Sequence, residues 1–285
     1  MASPIHDSIK MTQISELFEP RDPQSNKGTF GSVGVLGGAP GMTGAVVLAG
    51  RMALKAGAGR VYVGLAQTTP SISVDPLQPE LMWRPADSLL DLAPQITGWA
   101  VGCGLGSATK AFDWLRTLFQ KRGTAPLVID ADALNALANG DVSPTWGAAP
   151  VVITPHPAEA ARLLQTSVKV IQHDRRLAAH ALAERFNAWV VLKGHQSIVA
   201  SPQGQCQVNT TGNVALASAG TGDVLSGLIA SLLAQGFEPA IAVPAGVWLH
   251  GAAADVLARR LGGPIGVTAS ELIDEIRLLR NQPPS

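Results

Sequence analysis

An acidic residue stands directly behind a glycine-rich turn at Gly220-Thr221-Gly222-Asp223, and an apolar helical pattern runs on from there to Gln235. Glycines let a backbone approach a ligand closely, and the first turn of a helix adds unpaired N–H donors and a partial positive charge. Together they make an anion cradle. A carboxylate at the mouth of such a cradle repels a phosphate at rest, so its use there is as a base. Asp223 would take a proton from a substrate hydroxyl while the amides of Gly220, Thr221 and Gly222 hold the phosphoryl group in transfer. The competing reading makes Asp223 an ordinary helix N-cap and the glycines parts of a tight turn.

Other loops carry residue sets of the same kind. Gly37, Gly38, Gly41 and Gly44 lie between an apolar run and a helical pattern, but the G-x-G-x-x-G spacing fails and no acidic residue ends the next run, so a dinucleotide fingerprint is rejected. A floor of small residues under a flat ligand, or plain close packing, remains. Gly102-Cys103-Gly104-Leu105-Gly106 repeats the theme. With no basic residue near it in sequence, Cys103 reads as a small buried thiol. Asp130, Asp132 and Asn135 suit a magnesium–phosphate or ribose contact, with helix capping as the alternative. Pro155 and Pro157 fix the backbone around His156, so its ring projects from the loop as a ligand contact, with a purely structural histidine as the alternative. Lys193-Gly194-His195-Gln196-Ser197 suits the phosphate or ribose edge of a nucleotide, or is a tight turn with an exposed lysine. The polar stretch Asn209, Thr210, Thr211, Gly212 and Asn213 leads into the Gly220 turn as a lid or nucleotide-facing segment.

Positioning these groups falls to alternating elements. Short apolar runs at 32–36, 60–66, 99–101, 127–130, 150–154 and 189–193 predict strands buried on both faces. Helical patterns at 43–56, 110–122, 131–138, 157–165 and 170–187 fall between them. This order implies an α/β fold of three layers, with a mostly parallel sheet between helices and ligands beyond the carboxyl ends of the strands. Residues 197–200 and 205–208 flank Ser201-Pro202-Gln203-Gly204 as an antiparallel edge hairpin. Helices at 222–235, 240–261 and 268–279 close the chain, and an amphipathic segment at 8–18 opens it.

With 285 residues, 46% hydrophobic and 15% charged, the chain can bury a large core, and one domain over 1–285 with its core at about 27–280 is expected. Twenty-one basic residues balance 21 acidic ones, so nothing draws the protein toward nucleic acid or an anionic membrane. Two distant cysteines support neither a disulfide framework nor a zinc site. The start mixes His6, Asp7, Lys10 and Glu16 into its first turns without an apolar leader, and no apolar run approaches a membrane span, which predicts a soluble cytoplasmic protein.

Seven motifs in order, residues 27–38 (KGTFGSVGVLGG), 42–45 (MTGA), 102–106 (GCGLG), 130–135 (DADALN), 154–159 (TPHPAE), 191–194 (VLKG) and 219–227 (AGTGDVLSG), resemble the ADP-dependent NAD(P)H-hydrate dehydratases of the ribokinase-like superfamily. The resemblance implies a ribokinase-like fold. It also implies repair of the 6S form of hydrated NADH or NADPH (NADHX, NADPHX) with conversion of ADP to AMP and phosphate. Carried over motif by motif, Ala45, Gly106, His156 and Asp223 contact the hydrated dinucleotide. Lys193, Gly194, His195, Gln196, Ser197 and Gly222 contact the AMP part, and Gly220, Thr221, Gly222 and Asp223 serve catalysis. Mg2+ is implied as cofactor, with Glu159 as its candidate ligand, and a homo-oligomer as the assembly, a tetramer favoured. Two departures, Cys103 for the usual proline and Ser197 for a threonine, remove neither a backbone contact nor a hydroxyl. The chain is too short for the epimerase domain that many relatives carry, so that activity is expected from another polypeptide. A vitamin-precursor kinase using the same Asp223, and a non-catalytic nucleotide sensor, are the rival readings.

Overall fold

Alternation along the central strands divides the core in two. Val33, Val35, Ala100, Val128, Val152, Val191 and Val199 belong to one apolar cluster, whereas Trp99, Leu127, Ile129, Val151, Ile153, Val190, Leu192 and Ile198 belong to the other. Both sets are buried, as expected of strands covered by helices on each face. The computed structural model describes residues 8–282; His6 and Asp7 lie outside the described residues.

The strands are β1 (Ser32–Gly37), β2 (Arg60–Leu65), β3 (Met82–Pro85), β4 (Gly98–Val101), β5 (Leu127–Ile129), β6 (Val151–Ile153), β7 (Trp189–Leu192), β8 (Ile198–Ala200) and β9 (Cys206–Val208). They form a sheet in the order β3-β2-β1-β4-β5-β6-β7-β8-β9. Pairings from β3 to β7 are parallel, and β7–β8 and β8–β9 are antiparallel, which bears out the expected edge hairpin. Helices α1 (Thr43–Lys55), α8 (Thr221–Ala234), α9 (Pro239–Leu261) and α10 (Ala269–Asn281) supply the valine-rich cluster. Helices α2 (Ala86–Asp91), α3 (Thr109–Lys121), α4 (Ala131–Asn139), α5 (Pro157–Leu163), α6 (Val168–His173) and α7 (Arg175–Phe186) supply the other.

Helix α8 fixes the site because it cannot slide. A Cβ on Gly227 would stand 2.1 Å from the Ala49 carbonyl oxygen of α1, so the two helices touch backbone to backbone there. Its buried serines are satisfied at defined points, Ser231 donating to Ala53 O at 2.7 Å and Ser226 to the Asp130 carboxylate at 2.7 Å. An unpartnered hydroxyl at such depth would cost about 1–3 kcal/mol, so these bonds select one register.

Three expectations need correction. β3 and α2 lie outside the expected strands and helices, because Met82-Trp83-Arg84-Pro85 buries only Trp83 and α2 is six residues long, so neither leaves a periodic signal. The single helix expected at 170–187 is two, α6 and α7, broken at Asp174 (φ −142°, ψ 87°). Helix α9 is, by length and composition, apolar enough to cross a bilayer, contrary to the expectation of no such run. It is mostly buried against α8 and α10, as a core helix is. The opening segment forms two short 3-10 turns, Met11–Gln13 and Ser15–Phe18, that bury Leu17.

Candidate active site

Because β1 to β7 run parallel, the loops that follow them collect on one edge of the sheet. The strand order leaves β1 in both directions, so the loops after β1 and β4 flank the topological switch where ligands settle in such sheets. These two loops are laced together, Gly38 N donating to Cys103 O at 3.0 Å and Ala39 N to Gly104 O at 2.7 Å. A Cβ on Gly104 would lie 3.2 Å from the Ala45 Cβ, which places Ala45 at the same switch point. Gly106 is there too, at φ +76°, its amide already donating to Asp132 Oδ2 at 2.8 Å. It therefore offers a ligand its bare Cα and carbonyl rather than an N–H.

Asp130 sits at the centre of the edge, buried, and caps α4 as one of its two readings anticipated. Oδ1 accepts from Lys193 Nζ at 2.7 Å and from Ala131 N at 2.9 Å, while Oδ2 accepts from Ser226. Lys193 Nζ is also 3.9 Å from Glu159 Oε2. Burial alone disfavours the Lys193 ammonium, but Asp130 and Glu159 outweigh it and hold the pKa above the usual lysine range. A Cβ on Gly222 would meet Lys193 Nζ at 3.5 Å, so this fixed positive charge stands against the first turn of α8.

Asp223 is the third residue of α8, whose N-cap is Gly220 in the left-handed region (φ +87°), so the capping reading of Asp223 does not hold. The Thr221 hydroxyl is shared between Leu216 O (2.9 Å) and Ser218 O (3.0 Å), which stiffens the turn and leaves Thr221 only its amide to offer. The first ladder bond of the helix runs from Val224 N to Gly220 O at 3.1 Å, so the amides of Thr221, Gly222 and Asp223 precede it without an intrahelical acceptor. Burial raises the Asp223 pKa from 3.8 to about 6, against the Cys103 thiol and Lys193, with Asp130 and Asp132 pushing the same way. Cys103 is fully buried, and burial together with the Asp223 and Asp130 charges drives its thiol well above the ordinary range. Lys193 reaches it through space, yet too weakly to activate it.

His156 caps α5. Its Nδ1 accepts from Ala158 N (3.1 Å) and Glu159 N (3.3 Å), and Glu159 Oε2 accepts from His156 N at 2.7 Å. Burial, Lys193 and Arg162 lower the His156 pKa, so the ring is neutral and carries its proton on the half-exposed Nε2 side.

Beyond Gly222 opens a cavity of about 500 Å³ whose lining includes Lys193, Gly194, His195, Gln196 and Ser197 together with Asn209, Thr211, Gly212 and Asn213. The expected nucleotide residues thus share one cavity with most of the polar stretch. Ala45, Gly106, His156 and Asp223 do not line this cavity. Asp223 thus follows Gly222 of the cavity lining and faces the Cys103 thiol of the loop after β4, with the open amides of α8 beside it.

The family model described as NAD(P)H-hydrate dehydratase matches residues 33–278. The chain belongs to this family. The ADP-dependent (S)-NAD(P)H-hydrate dehydratase of Neisseria meningitidis is 46% identical over 95% of this chain and 92% of its own length. The bifunctional NAD(P)H-hydrate repair enzyme Nnr of Escherichia coli is 40% identical over 94% of this chain, which spans about half (51%) of that longer relative. Among solved structures, the ADP/ATP-dependent NAD(P)H-hydrate dehydratase of Bacillus subtilis, co-crystallized with ATP/Mg2+, superposes with a TM-score of 0.84 at 30% identity, covering 97% of this chain and 98% of that one. Hydroxyethylthiazole kinase from Pyrococcus horikoshii, at 15% identity and TM-score 0.65, shares the ribokinase-like fold alone.

Several residues that build this candidate site carry no clear signal in the sequence. Asp255 of α9 accepts from Gly212 N (2.8 Å) and Asn213 Nδ2 (2.8 Å), and Asn209 donates to Val247 O at 3.2 Å, so α9 holds the 209–213 part of the cavity lining. His250 Nε2 lies 2.9 Å from Thr221 O; burial lowers its pKa to about 4, so a neutral ring donates to the start of α8. Gln67 donates to Gly38 O at 2.7 Å and steadies the loop after β1. The only signal for His250 and Asp255 is polarity inside an apolar helix, which by itself does not say what they face. As for Mg2+, no three His, Cys, Asp or Glu side chains gather around a common point among the described residues. Glu159 is engaged by His156 N, burial raises its pKa, and both oxygens of Asp130 are taken. These side chains do not make a ready Mg2+ site of their own.

Proposed function

We propose that this chain is a cofactor-repair lyase that dehydrates the S form of hydrated NADH or NADPH with consumption of ADP. The observation that carries the mechanism is the place of Asp223, a partly buried carboxyl with pKa about 6 that follows Gly222 of the cavity lining and faces Cys103 of a switch-point loop, beside the open amides of α8. Hydroxide is a poor leaving group, whereas phosphate leaves readily with its charge spread over several oxygens. Asp223 takes the proton of the ring hydroxyl at C6. The oxygen then attacks the β-phosphorus of ADP, the bond to the bridging oxygen breaks, and AMP departs with that oxygen. The amides of Gly220, Thr221 and Gly222 and the Lys193 ammonium face the charge that develops on the phosphoryl oxygens. The ring nitrogen donates its pair as the C6–O bond breaks, phosphate leaves, and loss of a proton from the neighbouring ring carbon restores the double bond.

The geometry favours two separate positions for the two substrates. Ala45, Gly106 and neutral His156, with Nε2–H as donor, would seat the hydrated dinucleotide at the switch point, and residues 193–197 the AMP part. Mg2+ would arrive on the nucleotide's phosphates rather than in a cage of side chains. The other epimer of the hydrate would require an epimerase. The test is incubation of the full chain with ADP and hydrated NADH. Recovery of the reduced-nicotinamide absorbance with one AMP formed per NADH supports the reading, and a lasting phosphorylated alcohol or binding without turnover refutes it.

A further inference from the structure

Arg175 opens α7, where a cation faces the positive end of its own helix. The break at Asp174, which accepts from Leu177 N at 2.9 Å, sets it there. Its guanidinium then does something no other side chain of the site does. Nη1 donates to the carbonyls of His195 and Gln196, the latter at 3.2 Å, and Nη2 to those of Leu192 (3.0 Å) and Lys193 (3.3 Å). Among the described residues no carboxylate pairs with it. The one residue this segment leaves uncontacted, Gly194, has φ +147°, and a Cβ there would come within 2.9 Å of Nη2. Of the segment so gathered, residues 193–196 line the 500 Å³ cavity, together with Ser197 that follows them.

We propose that Arg175 is a positioning residue that pre-forms the nucleotide wall by drawing the carbonyls of Leu192, Lys193, His195 and Gln196 onto one guanidinium. The inference rests on the reading of that cavity as the nucleotide compartment. A planar fork with five donors can satisfy several carbonyls in fixed directions, whereas an ammonium is a point charge that cannot span them. Without it the Lys193 carbonyl loses its anchor. The loop would then have to order when nucleotide arrives, and that ordering would be subtracted from affinity.

The test compares the wild-type chain with Arg175→Lys and Arg175→Ala. In Arg175→Lys we expect the Kd and KM for ADP to rise about tenfold or more, as loss of two or so charge-assisted bonds implies. The KM for hydrated NADH should stay within about twofold and the acid limb of the pH profile should not move, because Asp223 is untouched. Amide hydrogen exchange should accelerate at residues 193–197, and added guanidinium should restore part of the ADP affinity of Arg175→Ala. If Arg175→Ala does not fold, Arg175→Lys carries the test. Unchanged ADP affinity and exchange, or an equal loss for both substrates without rescue, overturns the proposal. A wild-type chain that binds ADP but does not restore hydrated NADH sinks the proposed function instead, and the Arg175 inference is then still judged by ADP affinity and exchange.

Discussion

Replacing Asp223 by Asn should inactivate the protein and stabilise it at the same time. Burial lifts the Asp223 pKa from 3.8 to about 6, and each unit corresponds to about 1.4 kcal/mol, so the ionised carboxylate costs the folded state about 3 kcal/mol at pH 7.5. The sign follows from the direction of the shift. Because the folded pKa lies above the unfolded one, the carboxyl is tolerated at low pH, while protonated in both states. The penalty begins as pH rises through 3.8 and is complete above about 6. At pH 4.5 only about 1 kcal/mol of it remains. Asn keeps the shape and removes the charge, so Asp223→Asn should melt higher at pH 7.5, at about 2 °C per kcal/mol for a chain of this size, and the gain should shrink at pH 4.5. Turnover of hydrated NADH with ADP, followed by absorbance, should fall by about 10²–10⁴-fold, the usual contribution of a positioned base. For the wild type, kcat/KM should lose about a decade per pH unit below about pH 6, as expected of a base that must be ionised. A variant that turned over at the wild-type rate, or one less stable than wild type at both pH values, would refute the reasoning.

Other outcomes follow from the same geometry. Lys193→Met should leave the Asp130 and Glu159 carboxylates buried without their cation, costing about 3 kcal/mol by chemical denaturation and raising the KM for ADP. Gly227→Ala should drive a methyl into the Ala49 carbonyl, now 2.1 Å from where that Cβ would stand, costing about 1–3 kcal/mol and lowering kcat as the start of α8 shifts. Cys103, buried and held as the neutral thiol, should resist alkylation at pH 7.5 in the folded protein and react only on unfolding, read by mass spectrometry. His156→Ala should cost about 1 kcal/mol through loss of the α5 cap and should raise the KM for hydrated NADH more than that for ADP.

The strand and helix series was legible because each element writes its own period into the chain. The apolar runs at 127–130, 150–154 and 189–193 became β5, β6 and β7 with their ends shifted by a residue, Asp130 leaving the strand to cap α4. Where the local signal was weak the reading failed. β3 pairs with β2 at the sheet edge through four residues with a single buried side chain, and α6 passes into α7 across an aspartate that a periodicity window overlooks. Helix α9 lies where the pattern at 240–261 places it, but it is long and apolar enough to span a bilayer, and its tertiary burial, not its composition, marks it as core.

Residue order by itself determined the loop chemistry: which glycines end strands, where the helix behind Gly220 begins, and that Lys193 and His156 stand at strand ends. Those are properties of neighbours in the chain, governed by backbone preference and hydrophobic period. Only the tertiary structure decided what those groups became. Lys193 meets Asp130 across 63 residues and Ser226 meets Asp130 across 96, the burial that lifts Asp223 to about 6 is supplied by elements remote in sequence, and Arg175, His250 and Asp255 acquire partners solely by packing. Local sequence can place a carboxylate at the head of a helix, but its proton affinity depends on desolvation and nearby charge, which exist only once the chain has closed around it.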